Sequence, residues 1–591
     1  MTTKQLKIHS ENILPILKKW LYSEHEIFVR ELISNACDAI AKLNLLGVDG
    51  GEHRIDVTID KKKKTLTFSD TGLGMTAEEV EKYIAQLAFS GAEDFIQKYS
   101  DKGSSEQIIG HFGLGFYSSY MVAHTVEIDT LSYLEDAKAA HWLCDGSSDY
   151  TLDEGKREKR GTTITLHIED EDYLEESKLK EILKRFCSYL PAPIYLGEER
   201  INPSEPLWLK NPSDCTDQEY IDFYRELYPM DQDPIFWIHL SVDYPFHLQG
   251  ILYFPKITRR MDIDKSSIQL YCNRVFVSDN CRDIIPDYLM VLRGAIDSPD
   301  IPLNVSRSTL QVDRNVRQLM SHISKKVADK LSSLYKNERD EFLKRWPDIE
   351  LIIKLGALQD DKFYERIKDL LVFQNTSGDW TTIKDYLERS ESKHKDKIFY
   401  TSQEQSHTLP LYTSKGIEVL KATSTIDTPV ISMLEHKCSP AKFTRIDGSI
   451  DDAILDAARE KSTLDESGKS QSAQIADFFR KQLDGVEVEA KSLHEDSLPA
   501  FVVLDENMRR LRDTMSMHGQ DMGAQFDKRT FVVNTNSPLI EALTKTQDES
   551  LAKELTQHLY ELSLLGQREL KGDQIQGLIE RANKLLTQLV K

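Results

Sequence analysis

Residues 28–42 read FVRELISNACDAIAK, with Glu31, Asn35, Asp38 and Lys42 at successive offsets of four, three and four. At 3.6 residues per turn these four fall on one stripe of a helix. The opposite face carries Phe28, Leu32, Ile33, Ala36, Ala39 and Ile40. A solvated face interleaves charges at random, and an isolated carboxylate is costly to bury. A line of two carboxylates, an amide and a lysine therefore predicts a helix that packs by one side and holds a metal-bound anion by the other.

With 591 residues the chain exceeds one core, so three or four domains are expected. Its 97 acidic against 75 basic side chains leave a net charge of −22, which repels nucleic-acid phosphates. No apolar run reaches the length of a membrane span, and MTTKQLKIHSEN lacks a signal-peptide core. Neither nucleic acid nor membrane is expected as a partner. The seven cysteines are dispersed without a C-x-x-C pair, which reads as reduced thiols of a cytoplasmic protein.

Helical periodicity spans Ile13–Leu45. A strand pair, Arg54–Ile59 and Thr65–Phe68, flanks a lysine turn, and Thr162–Ile168 reads as a further strand. The acidic run Glu169–Glu176 opens a helix ending near Tyr189, where Pro191 and Pro193 stop it. This is a two-layer α/β pattern. A join lies within Asn202–Asp214. Strand-like runs at Phe236–Val242, Gly250–Phe254 and Ile268–Val277 begin a second α/β region, and helix fills Val316–Trp346. Lys461–Gln474 is polar and aperiodic. Beyond it, leucines and isoleucines at three–four spacing from Leu551 to Leu589 predict two terminal helices.

Three short motifs accompany the helical stripe. Asp70-Thr-Gly72-Leu-Gly74-Met75 follows a strand; its glycines permit a tight turn and its aspartate can accept the amine of adenine. Gly110-His-Phe-Gly113-Leu-Gly115-Phe116 leads into an apolar helix through Met121 and Val122, where backbone amides and the helix dipole favour phosphate. It is neither a P-loop nor a Rossmann fingerprint. Gly161-Thr162 opens a strand, and the threonine hydroxyl could bond a base directly or through water. Each motif alone is commonplace; the four in this order are specific.

In that order they resemble the GHKL ATP-binding superfamily, and RELISNACDAIAKL, IGHFGLGFYSSYMVA and RGTTITLHI are most similar to the bacterial branch of the heat-shock protein 90 chaperone family. The likeness continues through IQLYCNRVFV, IPDYLMVLRGAIDSPDIPLNVSR and KLGALQDD. It implies an α/β multidomain chain: an N-terminal GHKL (Bergerat) two-layer α/β sandwich for ATP at 1–198, a middle α/β region at 199–462, and a mixed α/β dimerisation domain at 472–591. It implies an ATP hydrolase using Mg²⁺, opening and closing a homodimeric clamp on unfolded or labile client proteins. Co-chaperones of the bacterial seventy-kilodalton system are possible further partners.

By position, the resemblance makes Glu31 the residue acting on the attacking water and Asn35 the magnesium ligand. Asp38 and Lys42 line the pocket, Asp70 reads adenine, Gly74 and Met75 lie against the base, Gly113 and Phe116 belong to the phosphate loop, and Thr162 sits near adenine. Arg307 would contact the γ-phosphate with help from Gln311.

The chain departs from the family at the start of the lid, where Tyr83, Ala85, Gln86 and Phe89 replace the usual asparagine, glycine, threonine and lysine. That opens an alternative, a divergent holdase with weak ATPase. A gyrase- or MutL-like enzyme is disfavoured by the acidic charge, and a sensor kinase by the lack of a preceding phospho-accepting helix. Met508, Leu511, Met515 and Met522 share one face of an expected helix; such a stripe is core, or a client surface as the resemblance implies.

Overall fold

The computed structural model describes residues 25–48, 51–86, 109, 114–147, 149–202, 205–256, 267–279, 281, 284–301, 314–403, 406–459, 470–517, 529–567 and 569–590. They divide into two compact units, Met1–Lys330 and Leu331–Lys591.

The first unit is built on an eight-stranded sheet: β1 (Ile55–Asp60), β2 (Thr65–Asp70), β3 (Ala123–Leu131), β4 (Ala140–Cys144), β5 (Tyr150–Glu154), β6 (Gly161–Ile168), β7 (Ile194–Leu196) and β8 (Glu199–Arg200). Its spatial order is β5-β4-β3-β6-β2-β1-β7-β8, antiparallel except for β1 against β7. The strands alternate. Val126, Ile128 and Thr130 of β3 are buried, whereas Glu127 and Asp129 point to the other face. Hydroxyl pairs Ser69–Thr163 at 2.9 Å and Thr67–Thr165 at 3.4 Å lie on that polar face. One side of the sheet is therefore core and the other is wet, as antiparallel sheets allow.

Helix α1 (Ile27–Leu45) packs on the buried side with α2 (Ala77–Tyr83) and α3 (Glu176–Cys187) nearby. A reciprocal capping box starts α2: Glu79 N–H donates to Thr76 Oγ1 at 3.3 Å, and Thr76 N–H to Glu79 Oε2 at 2.8 Å. A second sheet has order β12-β11-β13-β10-β9, from β9 (Phe236–Val242), β10 (Leu248–Phe254), β11 (Ser267–Cys272), β12 (Val275–Ser278) and β13 (Arg293–Asp297). Its Tyr271 and Phe276 join Tyr189, Trp208 and the α1 residues in one continuous core, with Trp208 and Tyr271 ring centroids 5.2 Å apart.

Of the helix expected over Ile13–Leu45, the stretch Ile27–Leu45 is helical as expected, and the part before residue 25 lies outside the described residues. Several local expectations need correction. The acidic run forms a 3₁₀ turn, Glu171–Leu174, before α3 starts at Glu176 and ends at Cys187. The segment after the glycine loop is a 3₁₀ helix, Gly115–Met121, that runs into β3. Its three-residue repeat stacks Tyr117 on Tyr120, with centroids 6.5 Å apart. The run Ile268–Val277 is a hairpin. Asn273 and Arg274 both take positive φ, and Asp297 Oδ2 accepts the Arg274 N–H at 3.0 Å. Helix Val316–Trp346 is two helices, Arg314–Asn337 and Arg339–Gln359, broken at Glu338.

The second unit holds a two-stranded ribbon, β14 (Val372–Gln374) with β15 (Trp380–Thr382), and two three-stranded sheets. One is parallel, from β16 (Lys397–Thr401), β17 (Val419–Lys421) and β18 (Lys442–Arg445). The other joins β19 (Glu487–Lys491), β20 (Ala500–Leu504) and β21 (Arg529–Asn534). Lys354, buried on Arg339–Gln359, bonds Asp427 Oδ1 at 2.6 Å and Glu350 Oε2 at 2.7 Å. Helices Glu549–Gly566 and Gly572–Val590 end the chain. Among the described residues no helix is long and apolar enough to cross a membrane. Cys37, Cys144, Cys187, Cys215, Cys281 and Cys438 are free thiols.

Candidate functional site

The two carboxylates of the α1 stripe, Glu31 and Asp38, are buried, while Asn35 is exposed and Lys42 half-buried. Arg30 and Ser34 are buried as well. Arg30 approaches the neighbouring carboxylate from inside: its Nε and Nη2 donate to Glu31 Oε1 at 3.1 and 3.0 Å. That pair lets a carboxylate sit in a poorly solvated position. One of its oxygens is held and the other is turned toward the phosphate-loop side, because a Cβ built on Gly115 would lie 2.4 Å from Glu31 Oε2. Asp38 Oδ1 accepts the Ile109 N–H at 2.7 Å and so ties the segment preceding the glycine loop to the helix. Burial pushes the Lys42 ammonium below its ordinary value, and the charge of Asp38 opposes that.

A second cluster forms where β2 ends. Leu73 N–H donates to the Ala39 carbonyl at 3.3 Å, and a Cβ on Gly72 would stand 2.6 Å from Ala39 Cβ. Only glycine lets this turn lie against α1. Gly74 has φ +62°, and a Cβ there would strike the Leu131 carbonyl. Asp70 is buried; its Oδ1 accepts Gly72 N–H at 2.8 Å and Thr162 N–H at 3.4 Å. Desolvation raises its carboxyl to about 6, against the pull of the Gly72 N–H and Arg157. Among the described residues no bond reaches Oδ2.

Thr162 bonds Thr130 hydroxyl to hydroxyl at 3.0 Å, the two being cross-strand partners. Thr130 Oγ1 donates to the Gly161 carbonyl at 3.2 Å and accepts Met75 N–H at 2.9 Å. The 3.0 Å contact admits either hydroxyl as donor; when Thr130 gives its hydrogen to the Gly161 carbonyl, the Thr162 hydroxyl donates to Thr130. Thr162 Oγ1 then has lone pairs alone to offer. Two acceptors, Asp70 Oδ2 and Thr162 Oγ1, thus belong to one hydrogen-bonded cluster, which suits an exocyclic amine. Arg157 braces it from behind, donating to the Asp70 carbonyl at 2.9 Å and to Thr163.

Phe116 is buried with its ring edge-on to Trp142 at 5.7 Å, so its side chain serves the core and its backbone remains for a ligand. Tyr117 donates its hydroxyl to the Ile84 carbonyl, fastening the end of α2 to the 3₁₀ helix. Lys82 lies 5.0 Å from the Tyr83 ring centroid. Gly113, Arg307 and Gln311 lie outside the described residues, as do Phe89 and Met522. The structure thus brings Glu31, Asn35, Asp38 and Lys42 onto one helix and Asp70, Gly74 and Met75 to the turn beside it, with Thr162 reaching Asp70 from strand β6. It adds Arg30, Thr130 and Arg157, which sequence reasoning missed. An exposed neutral amide between two buried carboxylates fits a hard, water-retaining cation such as Mg²⁺.

The family described as "Histidine kinase-, DNA gyrase B-, and HSP90-like ATPase" matches residues 22–171, and "Hsp90 protein" matches residues 196–591. A chaperone protein HtpG of Bacteroides fragilis is 42% identical over 584 residues, covering 93% of this chain and 85% of that protein. The Bacteroides thetaiotaomicron HtpG is 41% identical over 612 residues, covering 97% and 89%. The Geobacter metallireducens HtpG is 31% identical over 597 residues, covering 92% and 91%.

Proposed function

The chain belongs to the heat-shock protein 90 family and is an ATP-hydrolysing molecular chaperone, and from that premise we propose how its residues divide the work. Asp70 and Thr162 receive the adenine amine, and Met75 packs on the base. Asp38 and Lys42 line the pocket, and the backbone of Gly113 and Phe116 meets the phosphates. Bound magnesium would supply charge neutralisation between phosphates, with the Asn35 amide oxygen holding it. Glu31, oriented by Arg30, takes the proton of the attacking water or aligns that water. Arg307 supplies the positive charge that phosphoryl transfer requires at the γ-phosphate, and Gln311 assists by hydrogen bonding.

Turnover is coupled to closure of a clamp made by two copies joined through residues 472–591, acting on unfolded or labile clients in the cytoplasm. Co-chaperones of the seventy-kilodalton system would deliver or receive those clients. The observation that carries the nucleotide reading is the buried acceptor pair Asp70–Thr162 next to a helix whose carboxylate Glu31 is held by Arg30. Steady-state ATPase with and without an unfolded client tests it. The expected result is hydrolysis that the client changes. Absent turnover with client retained would instead support a holdase, the reading that Tyr83 and Phe89 raise.

A further inference from the structure

The polar face of the N-terminal sheet, away from α1, gathers ligating side chains that the nucleotide chemistry does not use. Glu127 and Asp129 project from it two residues apart on β3. His141 of β4 is the register partner of Asp129, and its Nδ1 lies 3.0 Å from Asp129 Oδ1. His167 of β6 pairs with Thr125, one outward position before Glu127, and its Nε2 lies 2.6 Å from Glu127 Oε1. One ligand atom from each of Glu127, Asp129 and His141 falls within 4.8 Å of the others.

We propose that Glu127, Asp129 and His141 form a binding site for a divalent first-row transition cation, with His167 orienting Glu127 from behind. A cation roughly 2.0–2.2 Å from each donor requires donors about 3–3.5 Å apart, so the His141–Asp129 edge already has the right length. Glu127 offers its ligand atom within 4.8 Å of those of His141 and Asp129. The three positions are fixed by ladder pairing on adjacent strands, so convergence asks for no backbone movement. Imidazole with two carboxylates selects zinc or its neighbours over magnesium and calcium, which take oxygen alone. Side-chain exposures of 28–37% leave the cluster reachable from solvent and still partly desolvated. The histidine behind Glu127 is the kind of outer partner that fixes a ligating carboxylate. Arg157, which feels the Asp129 charge, is the nearby cation that metal must outcompete.

The test is calorimetric titration of the full chain with Zn²⁺, alongside His141→Ala, Asp129→Asn and His167→Ala, in excess Mg²⁺. Co²⁺ absorption provides a second readout: a site of nitrogen and oxygen shows ligand-field bands without thiolate charge transfer, which separates it from the cysteines. Expected is a Zn²⁺ affinity at least tenfold weaker in His141→Ala and in Asp129→Asn, with the nitrogen–oxygen Co²⁺ bands lost and ATP binding unchanged. His167→Ala should weaken binding about 10–100-fold. Equal Zn²⁺ affinity in the parent chain and His141→Ala overturns the proposal, as does displacement of Zn²⁺ by Mg²⁺.

Discussion

Helix α1 and the closing pair of helices invert the usual distribution of side chains in opposite ways. In α1 charged and polar groups are inside: Arg30, Glu31, Ser34 and Asp38 are buried. In the closing pair, apolar groups are outside: Leu562, Leu565, Ile575, Ile579, Leu586 and Val590 are 42–88% exposed. The first inversion is costly and is tolerated because Glu31 and Asp38 have fixed partners. The second forfeits transfer free energy that folding of one chain does not recover. It is also one-sided, since Ala552, Thr556, Leu559 and Leu564 of Glu549–Gly566 are buried against the unit's own core. A buried charge with a fixed partner can be structural, as Lys354–Asp427 is, and points to chemistry in α1 because it lies beside the Asp70–Met75 turn, whereas an exposed apolar face points to association.

The sharpest way to break this contrast is to remove the buried carboxylate. Glu31→Ala should lower ATP turnover roughly 10²–10⁴-fold, the span of a lost general base or water-orienting group. Nucleotide affinity, measured by calorimetry, should stay within about threefold, because Asp70 and Thr162 are untouched. Unchanged turnover would reduce the Arg30–Glu31 pair to a structural ion pair.

On the apolar side, Ile579→Lys combined with Leu586→Lys removes two side chains that are 50% and 59% exposed. If a second copy covers them, the dimer should weaken by about 3 kcal/mol or more, roughly 10²-fold in dissociation constant by sedimentation. The unfolding midpoint of the separated chain should barely move. A collapse of that midpoint would show that the face belongs to the chain's own core.

The two regions were not equally legible. The turn at Asp70–Met75 could be read because the positive φ of Gly74 is a local backbone demand that glycine meets, whereas the need for glycine at 72 comes from its tertiary approach to Ala39. Arg30 was invisible, since its role depends on a buried approach to Glu31 that no spacing rule encodes. Thr130 acquires its role only through the β3–β6 register, which pairs it with Thr162. The strands between Val372 and Asn534 escaped because they run three to six residues. Central ones such as Phe399–Tyr400 and Phe531–Val533 are buried on both faces and lack alternation. For the terminal helices the period was plain, but which apolar residues face the core and which face outward is settled by packing alone.

The same split predicts where pH enters. Asp70 sits at about 6, raised from 3.8 by burial. Below about 6 the folded chain carries the neutral carboxyl, and an amine donor competes with that proton for the carboxylate. Adenosine affinity should therefore be flat above pH 7 and fall about tenfold per unit well below 6. Adenosine is the right probe because it has no phosphate titrating in that window. Asp70→Asn keeps the shape, presents a neutral acceptor, and should bind weakly at every pH without the slope. The Ile579→Lys/Leu586→Lys variant leaves Asp70 and its partners untouched and should reproduce the parent curve. A slope that survives in Asp70→Asn would place the titrating group elsewhere and detach the base from Asp70.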